Sequence, residues 1–530
     1  MREDEPARPR EYVPPSQYAL SVSTEQRPTS TDSTPTTLSP QHKLVIYLLL
    51  VSAFVVMLNE TIVSVALPRM MVDLQIEPAV GQWLVTAFML TMAIVIPLTG
   101  FLMRRFSTRT LYLGAMALFV VGTALASLSP MFGELTFGVL IVARVIQAAG
   151  TGVMTPLLMT TIMTLVPPHE RGRMMGNISI VMAAAPVVGP LLGGIIVSSL
   201  PWWCIFVIVF PVAVGAFVLG FAKLTNVTTT ERIKIDVLSV ILSAFAFGGL
   251  VYGLSEFGTE AQAQLDPGAR ATELSPWIPF IVGLVALVGW VFRQLALQKA
   301  GSALIDLRVF ANSGFTRAII MMAVMNLILF GSLVLLPFYI QTGLGLGPIE
   351  SALIVLPGGL LMGVAGPFVG AWYDKVGPRP LVIPGAAIVT VALTLMAIFF
   401  GETTPWWAVS VLYLVLCIGL ALQFGPLFTA SLGSLTPRLY SYGSATVGTL
   451  QQLAGAAGTS LFIVIFTLTM VQFLSGVHGS PTATDTAHAY VAGTRAAIAV
   501  GAFASVIPIV LGFFVKRPAN EMGGAPTPMH

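Results

Sequence analysis

Two ionisable residues lie well inside long apolar runs, where they are candidates for proton or ion chemistry. Glu60 stands in the stretch LNETIVSVAL at residues 58–67, and Arg144 stands in LIVARVIQAAGTGVMTP at residues 140–156. A charged side chain in lipid costs at least about 2.5 kcal/mol, so each should face protein or a water-filled cavity. Ionisable residues in such places mark proton relays and ion pathways. The sequence therefore makes Glu60 and Arg144 candidates for proton coupling.

Arg144 belongs to a polar face of its predicted helix. Gln147 and Thr151 follow it at spacings of three and four residues, which places all three side chains on one face. Arg144 is ten residues from Glu134, roughly 15 Å along a helix. That depth argues against an arginine that only reaches back to the membrane surface. A pair of Arg144 with Glu60 that merely stabilises the helices is the alternative interpretation.

Other polar residues in the apolar runs are candidates for lining a substrate cavity. With Gln147 and Thr151, they are Asn59, Ser64, Asn326, Gln341, Gln451 and Gln452. Small and amide side chains also join transmembrane helices through hydrogen bonds. Both interpretations stay open for this set.

The composition requires these residues to be positioned by membrane-spanning helices. Of 530 residues, 56% are hydrophobic and 9% are charged, and the mean hydropathy is +0.88. Soluble globular chains carry about 25% charged residues. The net charge of +3 is too small to indicate a nucleic-acid partner, and the two cysteines form no metal or disulfide pattern. We predict an all-α polytopic membrane protein without a bound metal or organic cofactor.

Reading the chain for apolar runs of about 20 residues predicts fourteen spans. The Pro-, Ser- and Thr-rich start is predicted to be a disordered tail. The predicted divisions are a tail at 1–42, six spans in 43–222, a pair of spans in 233–297, a linker at 298–313, six spans in 314–515 and a tail at 516–530. Most lysines and arginines beyond the first tail fall in loops on the side of the two termini, which predicts that both termini are cytoplasmic.

The fifth span carries the stretch APVVGPLLGG at residues 185–194. Proline bends a helix and glycine lets a neighbouring helix approach closely. The stretch is therefore either a kinked packing helix or a hinge between two moving halves. Its candidate residues are Pro186, Gly189, Pro190, Gly193 and Gly194.

Two short loops repeat one pattern on the predicted cytoplasmic side. GFLMRRFSTRTLYL at residues 100–113 and GAWYDKVGPRPL at residues 370–381 each place a glycine before basic residues in a compact turn. The repeat indicates two related bundles, an arrangement found in transporters. The residues concerned are Gly100, Arg105, Arg109, Gly370, Asp374, Gly377 and Arg379.

Together these stretches resemble the major facilitator superfamily in its fourteen-helix drug:proton antiporter branch, nearest to lincomycin-resistance-like exporters. Gly189, Pro190, Gly193 and Gly194 match that branch's antiporter motif, with Ala185 at the usual first glycine. The resemblance implies two six-helix bundles plus two inserted helices. It also implies that Arg144 takes part in proton coupling.

Two departures from the family pattern stand out. Arg104 occupies the position of an acid in the first loop motif. Asn59 occupies the usual aspartate position in the first span, and Glu60 follows it, so the carboxylate is displaced by one residue. If the protein couples to protons through a membrane carboxylate, Glu60 is the predicted one.

We expect a monomeric secondary exporter in the plasma membrane, using protons and acting on apolar or amphiphilic, often cationic compounds such as drugs. One alternative is export of an endogenous lipid, siderophore or peptide-like metabolite. The other is a transport-inactive receptor or scaffold on the same fold. No set of catalytic residues converges in the spans, which argues against an enzyme.

Overall fold

In the structure, a computed structural model, the regular secondary structure of the described residues is helical. The structure describes residues 39–76, 78–226, 230–231, 235–263, 275–299, 302–476 and 482–517. The predicted tail up to residue 38 and residues 518–530 lie outside the described residues. The first helix begins at Pro40, slightly earlier than the predicted start at residue 43.

The long helices of the first part of the chain follow one another through short turns. They are α1 (Pro40–Leu74), α2 (Trp83–Arg105), α3 (Thr108–Leu128), α4 (Thr136–Leu165), α5 (Arg171–Ser199) and α6 (Cys204–Lys223). Helix α7 comprises Val237–Ser243, a π-helical turn Ala244–Gly248 and Gly249–Ala263, and α8 is Trp277–Lys299.

The later helices repeat this arrangement. They are α9 (Ser313–Phe338, continued by the π-helical turn Tyr339–Gly343), α10 (Pro348–Val376), α11 (Arg379–Phe399), α12 (Trp406–Gly433), α13 (Tyr440–Ser475) and α14 (Ala483–Ala504, continued by Val506–Gly512). Within the described residues, twelve segments are long and apolar enough to cross a membrane. One of them, Thr108–Leu165, contains both α3 and α4, and α5 adds the shorter apolar stretch Val188–Ser199.

Local sequence explains where α1 begins and ends. The Ser39 hydroxyl accepts a hydrogen bond from the His42 backbone N–H at 3.2 Å, and Pro40 occupies the first turn, where its missing N–H costs nothing. The helix ends where Gln75 adopts a left-handed conformation with φ of 52°. These signals make α1 long enough to carry Asn59 and Glu60 deep among its neighbours.

The helices pack as two groups. In the first, α1 packs on α4, α5 and α6, while α3 packs on α4 and α6. In the second, α12 packs on α10 and α11, and α13 packs on α9 and α14. We call these groups the first and second bundles.

Two seams join the bundles. Helix α5 lies along α10, and α2 lies along α13. On the α5–α10 seam Gly172 faces Gly370 and Gly176 faces Gly366, and a Cβ on any of the four would overlap backbone of the opposite helix. Glycine is therefore required for this approach.

Helices α7 and α8 cover the other seam. Helix α7 packs against α2 and α13, and α8 packs on α7, in a cluster that includes Phe247 and Trp290, whose rings meet edge to face at 5.2 Å. The buried Gln294 side chain donates to the Ser239 hydroxyl at 2.9 Å and accepts from the Leu304 N–H at 2.8 Å. The described part of the linker predicted at 298–313 is therefore attached to α8 through the Leu304 N–H.

An ion pair closes the hairpin of α7 and α8. Asp236 precedes α7 and accepts from the Arg293 guanidinium at 2.9 and 3.1 Å. It also accepts from the Ser239 N–H at 3.0 Å, as an N-cap. Hydrogen bonding from Arg293, assisted by Ser239, lowers the pKa of Asp236 from 3.8 to about 2.

We expect Asp236→Asn to lower the thermal unfolding temperature, since asparagine keeps the cap but loses the charge. A lowered pKa in the folded state contributes stability above the unfolded pKa of 3.8, and this contribution disappears as pH falls through about 2. The decrease should thus be the same at pH 5 and pH 8 in detergent. The exposed Glu134→Gln is the control, and a decrease that changes between those pH values would contradict the prediction.

Candidate functional site

Glu60 lies half-buried on α1, one residue from the fully buried Asn59. The carboxylate interacts electrostatically with Arg144 on α4. Among the described residues, no ion-pair contact within 4.0 Å and no hydrogen bond to the carboxylate is found. The Ser64 hydroxyl donates to the backbone carbonyl of Glu60 at 3.1 Å and leaves the carboxylate untouched. The Glu60 carboxylate is therefore within the electrostatic field of Arg144 without forming a direct ion pair with it in the described part of the chain.

Arg144 is held by α2 and by its own helix. Its side chain is 1% exposed, and the guanidinium lies over the Phe88 ring at 3.9 Å from the centroid. Nε donates to the Leu84 carbonyl at 3.3 Å, and Nη1 donates to Gln147 Oε1 at 3.2 Å. A carbonyl, an amide and an aromatic face thus stabilise the charge.

Gln147 connects Arg144 to α3. Its Nε2 donates to the Thr123 hydroxyl at 2.9 Å, and that hydroxyl donates to the Phe119 carbonyl at 2.7 Å. The Thr151 hydroxyl donates to the Gln147 carbonyl at 2.9 Å. The structure therefore brings the three predicted residues of α4 together. Thr123 was missed because a lone threonine in an apolar run carries no distinctive signal.

Asn59 is fully buried, and neither polar atom of its side chain has a hydrogen-bond partner in the described part of the chain. Leaving a buried polar group unpaired costs about 1–3 kcal/mol. A buried amide at this position therefore has both a donor and an acceptor available for a group from outside the protein.

The other predicted cavity residues occupy different environments. Asn326 on α9 is buried and donates to the Met322 carbonyl at 2.8 Å, while its Oδ1 has no partner among the described residues. On α13, Gln451 is buried, and its Nε2 also has no hydrogen-bond partner among the described residues. Gln452 is half-buried. Gln341 is exposed in the π-helical turn after α9, and Ser64 is exposed on α1. Among the described residues, no hydrogen bond joins these side chains to the Arg144 group.

Sequence reasoning also missed Gln423. It is buried on α12, with Oε1 unpartnered among the described residues and Nε2 donating to the Gly419 carbonyl at 3.3 Å. A glutamine inside an apolar run was the available signal.

The predicted motif of α5 packs directly against α1 beside Glu60. A Cβ on Gly189 would overlap Thr61, and one on Gly193 would come within 3.1 Å of the Ile62 carbonyl. The Thr61 hydroxyl also donates to the Ala185 carbonyl at 3.0 Å. Gly194 faces open space, Pro190 is half-buried, and the side chain of Pro186 lies outside the described part. The motif therefore sets the position of the α1 turn that carries Asn59 and Glu60.

The first loop motif joins α2 to α13. Gly100 approaches the Leu304 carbonyl and the Tyr442 ring, each of which a Cβ would meet at 3.1 Å. Arg104 donates to the Tyr442 hydroxyl and pairs with Glu231. The residue that replaces the family's acid thus contacts both the second bundle and the segment before α7.

The remaining arginines of this motif serve the first bundle. Arg109 donates to the Phe221 carbonyl of α6 at 2.8 Å and lies over the Phe221 ring at 5.6 Å. Arg105 is exposed.

The second loop motif caps α5. Both carboxylate oxygens of Asp374 accept backbone hydrogen bonds, from Gly172 at 2.7 Å and from Arg173 at 2.9 Å. These N–H groups belong to the first turn of α5, where a negative charge is favoured by the helix dipole. Asp374 therefore links the second bundle to the first across the α5–α10 seam.

The other residues of the second motif shape its turn. Gly377 ends α10 with φ of +79°, a left-handed conformation that favours glycine. Arg379 donates to the Val515 and Phe513 carbonyls at 2.7 and 2.6 Å, which holds the end of the described chain.

Arg104 and Asp374 lie at the same end of the molecule. Arg171, at the start of α5, lies over the Tyr440 ring at the start of α13. We call this the loop-motif end, defined by Arg104, Asp374 and Tyr440. At this end the two bundles contact each other through polar side chains. A further contact of this kind joins the hydroxyls of Thr160 on α4 and Ser444 on α13 at 2.6 Å.

Within the described residues, no group of three or more His, Cys, Asp or Glu side chains is arranged to hold a metal ion. The prediction of protons as the coupling ion remains a prediction.

Comparisons with known proteins identify the family. The sequence pattern of the Major Facilitator Superfamily matches residues 49–459. The chain is 36% identical over 481 residues to the lincomycin resistance protein LmrB of Bacillus subtilis, covering 90% of this chain and 97% of that protein. It is 35% identical over 475 residues to the uncharacterised MFS-type transporter YcnB of the same organism, covering 90% and 95%. It is also 30% identical over 411 residues to a multidrug resistance protein B homolog of Mycobacterium tuberculosis, covering 77% and 73%.

Two solved structures share the fold. The human organic anion transporter MFSD10 superposes with a TM-score of 0.59 at 15% identity, covering 89% of this chain and 100% of that one. The proton:xylose symporter XylE superposes with a TM-score of 0.56 at 14% identity, covering 91% and 97%. With the family pattern and the relatives, the helical architecture shows that the chain is a transporter and not an enzyme, and that it belongs to the Major Facilitator Superfamily.

Proposed function

We propose that the protein is a proton-coupled exporter of apolar or amphiphilic, often cationic compounds such as drugs. The observation that carries the proposal is Glu60, a half-buried acid within the field of Arg144 but without an ion-pair contact in the described chain. An acid in that situation can gain or lose a proton without first breaking a direct salt bridge. Relatives named as lincomycin and multidrug resistance proteins support the drug-export part of the proposal.

The proposed cycle alternates access to Glu60 between the two sides of the membrane. Protonation of Glu60 from outside accompanies release of substrate, and deprotonation toward the cytoplasm resets the carrier. Gly189 and Gly193 support such a cycle because they let α5 slide against the α1 turn that carries Glu60. The Asp374 cap supports it because it joins the bundles through two hydrogen bonds that can break as a unit.

We also propose the fourteen-helix branch, with both termini cytoplasmic, in a plasma membrane and as a monomer. Support for the span number is that the long Thr108–Leu165 segment consists of two packed helices and that α5 is 29 residues long. Support for the orientation is the set of basic residues at the loop-motif end. Loops on the cytoplasmic side of a membrane protein carry an excess of lysine and arginine.

Transport by the purified protein in proteoliposomes tests the function. We expect a pH gradient with the acidic side inside the vesicles to drive accumulation of lipophilic cations. We expect a protonophore to abolish this accumulation. Flux that is equal with and without the gradient would contradict proton coupling. Absence of flux for every drug, with flux of a lipid or peptide-like metabolite, would favour the endogenous-substrate alternative.

Asn59 is proposed as a substrate contact, and Asn59→Leu tests that role. The variant removes a buried amide with no partner among the described residues, so we expect the unfolding temperature to stay equal or rise. Substrate affinity should fall, because the donor and acceptor are lost. Thermal unfolding and substrate binding in detergent measure the two effects. A fall in stability with unchanged affinity would contradict the role.

A further inference from the structure

A cavity of about 240 Å³ with both polar and apolar walls lies at the loop-motif end, away from the Glu60 region. Its walls come from three helices: Lys43 and Tyr47 of α1, Arg173 and Asn177 of α5, and Pro367 of α10. Glu170, just before α5, also lines it. Helix α5 packs against both α1 and α10, so the cavity lies along α5 and is bordered by residues of the other two helices.

The cavity presents two cationic side chains to one small volume. Lys43 and Arg173 are both exposed, and no hydrogen bond or ion pair of either side chain is found within the described residues. The backbone N–H of Arg173 is used by Asp374, so the helix N-terminus itself is occupied. The Arg173 guanidinium and the Lys43 ammonium group therefore remain to bind an anion. A guanidinium can donate two parallel hydrogen bonds to two oxygens of one phosphate.

The remaining polar groups of the cavity suit hydroxyl groups next to a phosphate. The Glu170 carboxylate accepts hydrogen bonds but would repel a second anionic group. Asn177 donates to the Met174 sulfur at 3.7 Å, which leaves its carbonyl oxygen to accept. A phosphodiester carrying a glycerol group would place its charge on the two cations and its hydroxyls on Glu170 and Asn177.

The cavity opens onto the lipid-facing surface. Tyr47 stands on an exposed apolar stripe of α1 with Leu44 and Val51. On the other side, Pro367 is followed by the exposed Phe368. Tyrosine favours the level of the lipid headgroups, and basic pockets between transmembrane helices bind anionic headgroups. Acyl chains attached to a headgroup in the cavity would therefore lie against apolar side chains.

We propose that this cavity binds the headgroup of an anionic glycerophospholipid of the phosphatidylglycerol type. Lys43 and Arg173 bind the phosphate, and Glu170 and Asn177 bind the glycerol hydroxyls. The leaflet follows from the cytoplasmic orientation proposed above, whereas the binding itself depends neither on that orientation nor on transport.

Native mass spectrometry of the full-length protein in detergent tests the site. We expect phosphatidylglycerol to bind at least about tenfold more tightly than phosphatidylethanolamine, which corresponds to about 1.4 kcal/mol. We expect millimolar inorganic phosphate to leave the bound lipid in place. Equal binding of the two lipids, or displacement by phosphate, would overturn the assignment without any variant.

A pair of double variants locates the binding. Lys43→Gln with Arg173→Gln should abolish the preference for phosphatidylglycerol, and Arg173→Lys should retain it because the charge is kept. Lys223→Gln with Arg438→Gln, two exposed cations outside the cavity, is the matched control. Thermal unfolding without lipid verifies folding. Identical lipid binding by both double variants would overturn the proposal, even if proton-coupled transport is confirmed.

Discussion

Replacement of Glu60 by glutamine is expected to abolish transport driven by a pH gradient. Glutamine keeps the size and hydrogen-bonding shape of the side chain but cannot release a proton. In proteoliposomes we expect accumulation of substrate by Glu60→Gln to fall to the level of protein-free liposomes. Substrate binding should persist and should lose its dependence on pH. Glu60→Asp, which retains an ionisable group, should recover part of the transport.

A purely structural role for Glu60 gives a different result. In that case Glu60 and Arg144 form a permanent pair, and removal of the charge destabilises the bundle, because breaking a buried ion pair costs about 3–5 kcal/mol. The structure argues against this role, since Arg144 is bound to the Leu84 carbonyl, Gln147 and the Phe88 ring. We therefore expect the unfolding temperature of Glu60→Gln to remain near that of the wild type.

The control for this experiment is an acid outside the site. Glu350 is exposed in the first turn of α10, and Glu350→Gln should transport normally. Coupled transport that survives in Glu60→Gln would refute the coupling role. Loss of both stability and transport would instead favour the structural pair.

The face of α4 could be predicted because helical spacing fixes which side chains lie together. Arg144, Gln147 and Thr151 are buried and connected, as their spacing of three and four residues indicates. The proximity of the α5 glycines to α1 could be anticipated only in part. Glycine predicts a close approach, but not which helix approaches or that the contact falls at Thr61 beside Glu60.

The partners of the loop motifs could not be predicted, since they are far apart in sequence. The basic stretch around Arg104 gives no sign that its guanidinium meets Tyr442 and Glu231. The sequence shows at this position only a departure from the family pattern, an arginine in place of an acid. The structure shows that the cation contacts an aromatic residue of the second bundle, Tyr442, and an acid of the segment before α7, Glu231.

Asp374 is a similar case. Its position in a repeated motif could be identified from the sequence, but its partners are backbone N–H groups about 200 residues away. Backbone donors at a helix start carry no side-chain signature. Only the packing of α5 against α10, which the four seam glycines permit, brings them to the carboxylate.

Asp374→Asn is expected to open the loop-motif end. Asparagine replaces one acceptor oxygen with a donor, so it cannot accept from both Gly172 and Arg173, and it removes the negative charge from the α5 N-terminus. Hydrogen bonds to charged groups contribute about 1.5–3 kcal/mol each. Loss of one of them shifts the balance between closed and open forms by roughly tenfold or more, since 1.4 kcal/mol is a factor of ten.

Cysteine accessibility measures that shift. Thr160 is buried where α4 contacts α13, and its hydroxyl meets Ser444. Thr160→Cys is placed in a chain whose own Cys204 and Cys417 are changed to serine. We expect a water-soluble maleimide to label it at least about tenfold faster when Asp374→Asn is added. Glu134→Gln, an exposed acid away from the loop-motif end, should leave the rate unchanged.

The outcome also separates a gate from a structural support. If Asp374 only supports the fold, Asp374→Asn lowers the unfolding temperature and raises labelling at every buried cysteine, including the native Cys417 in a chain that retains it. If Asp374 holds the two bundles together, labelling rises at Thr160→Cys alone. Substrate should then either return the labelling rate of the Asp374→Asn variant to the original value or raise it further. The reason is that a ligand shifts a two-state equilibrium by its unequal affinity for the two states. A labelling rate at Thr160→Cys that Asp374→Asn leaves unchanged would show that closure depends on other contacts, of which Arg104 with Tyr442 is the strongest candidate.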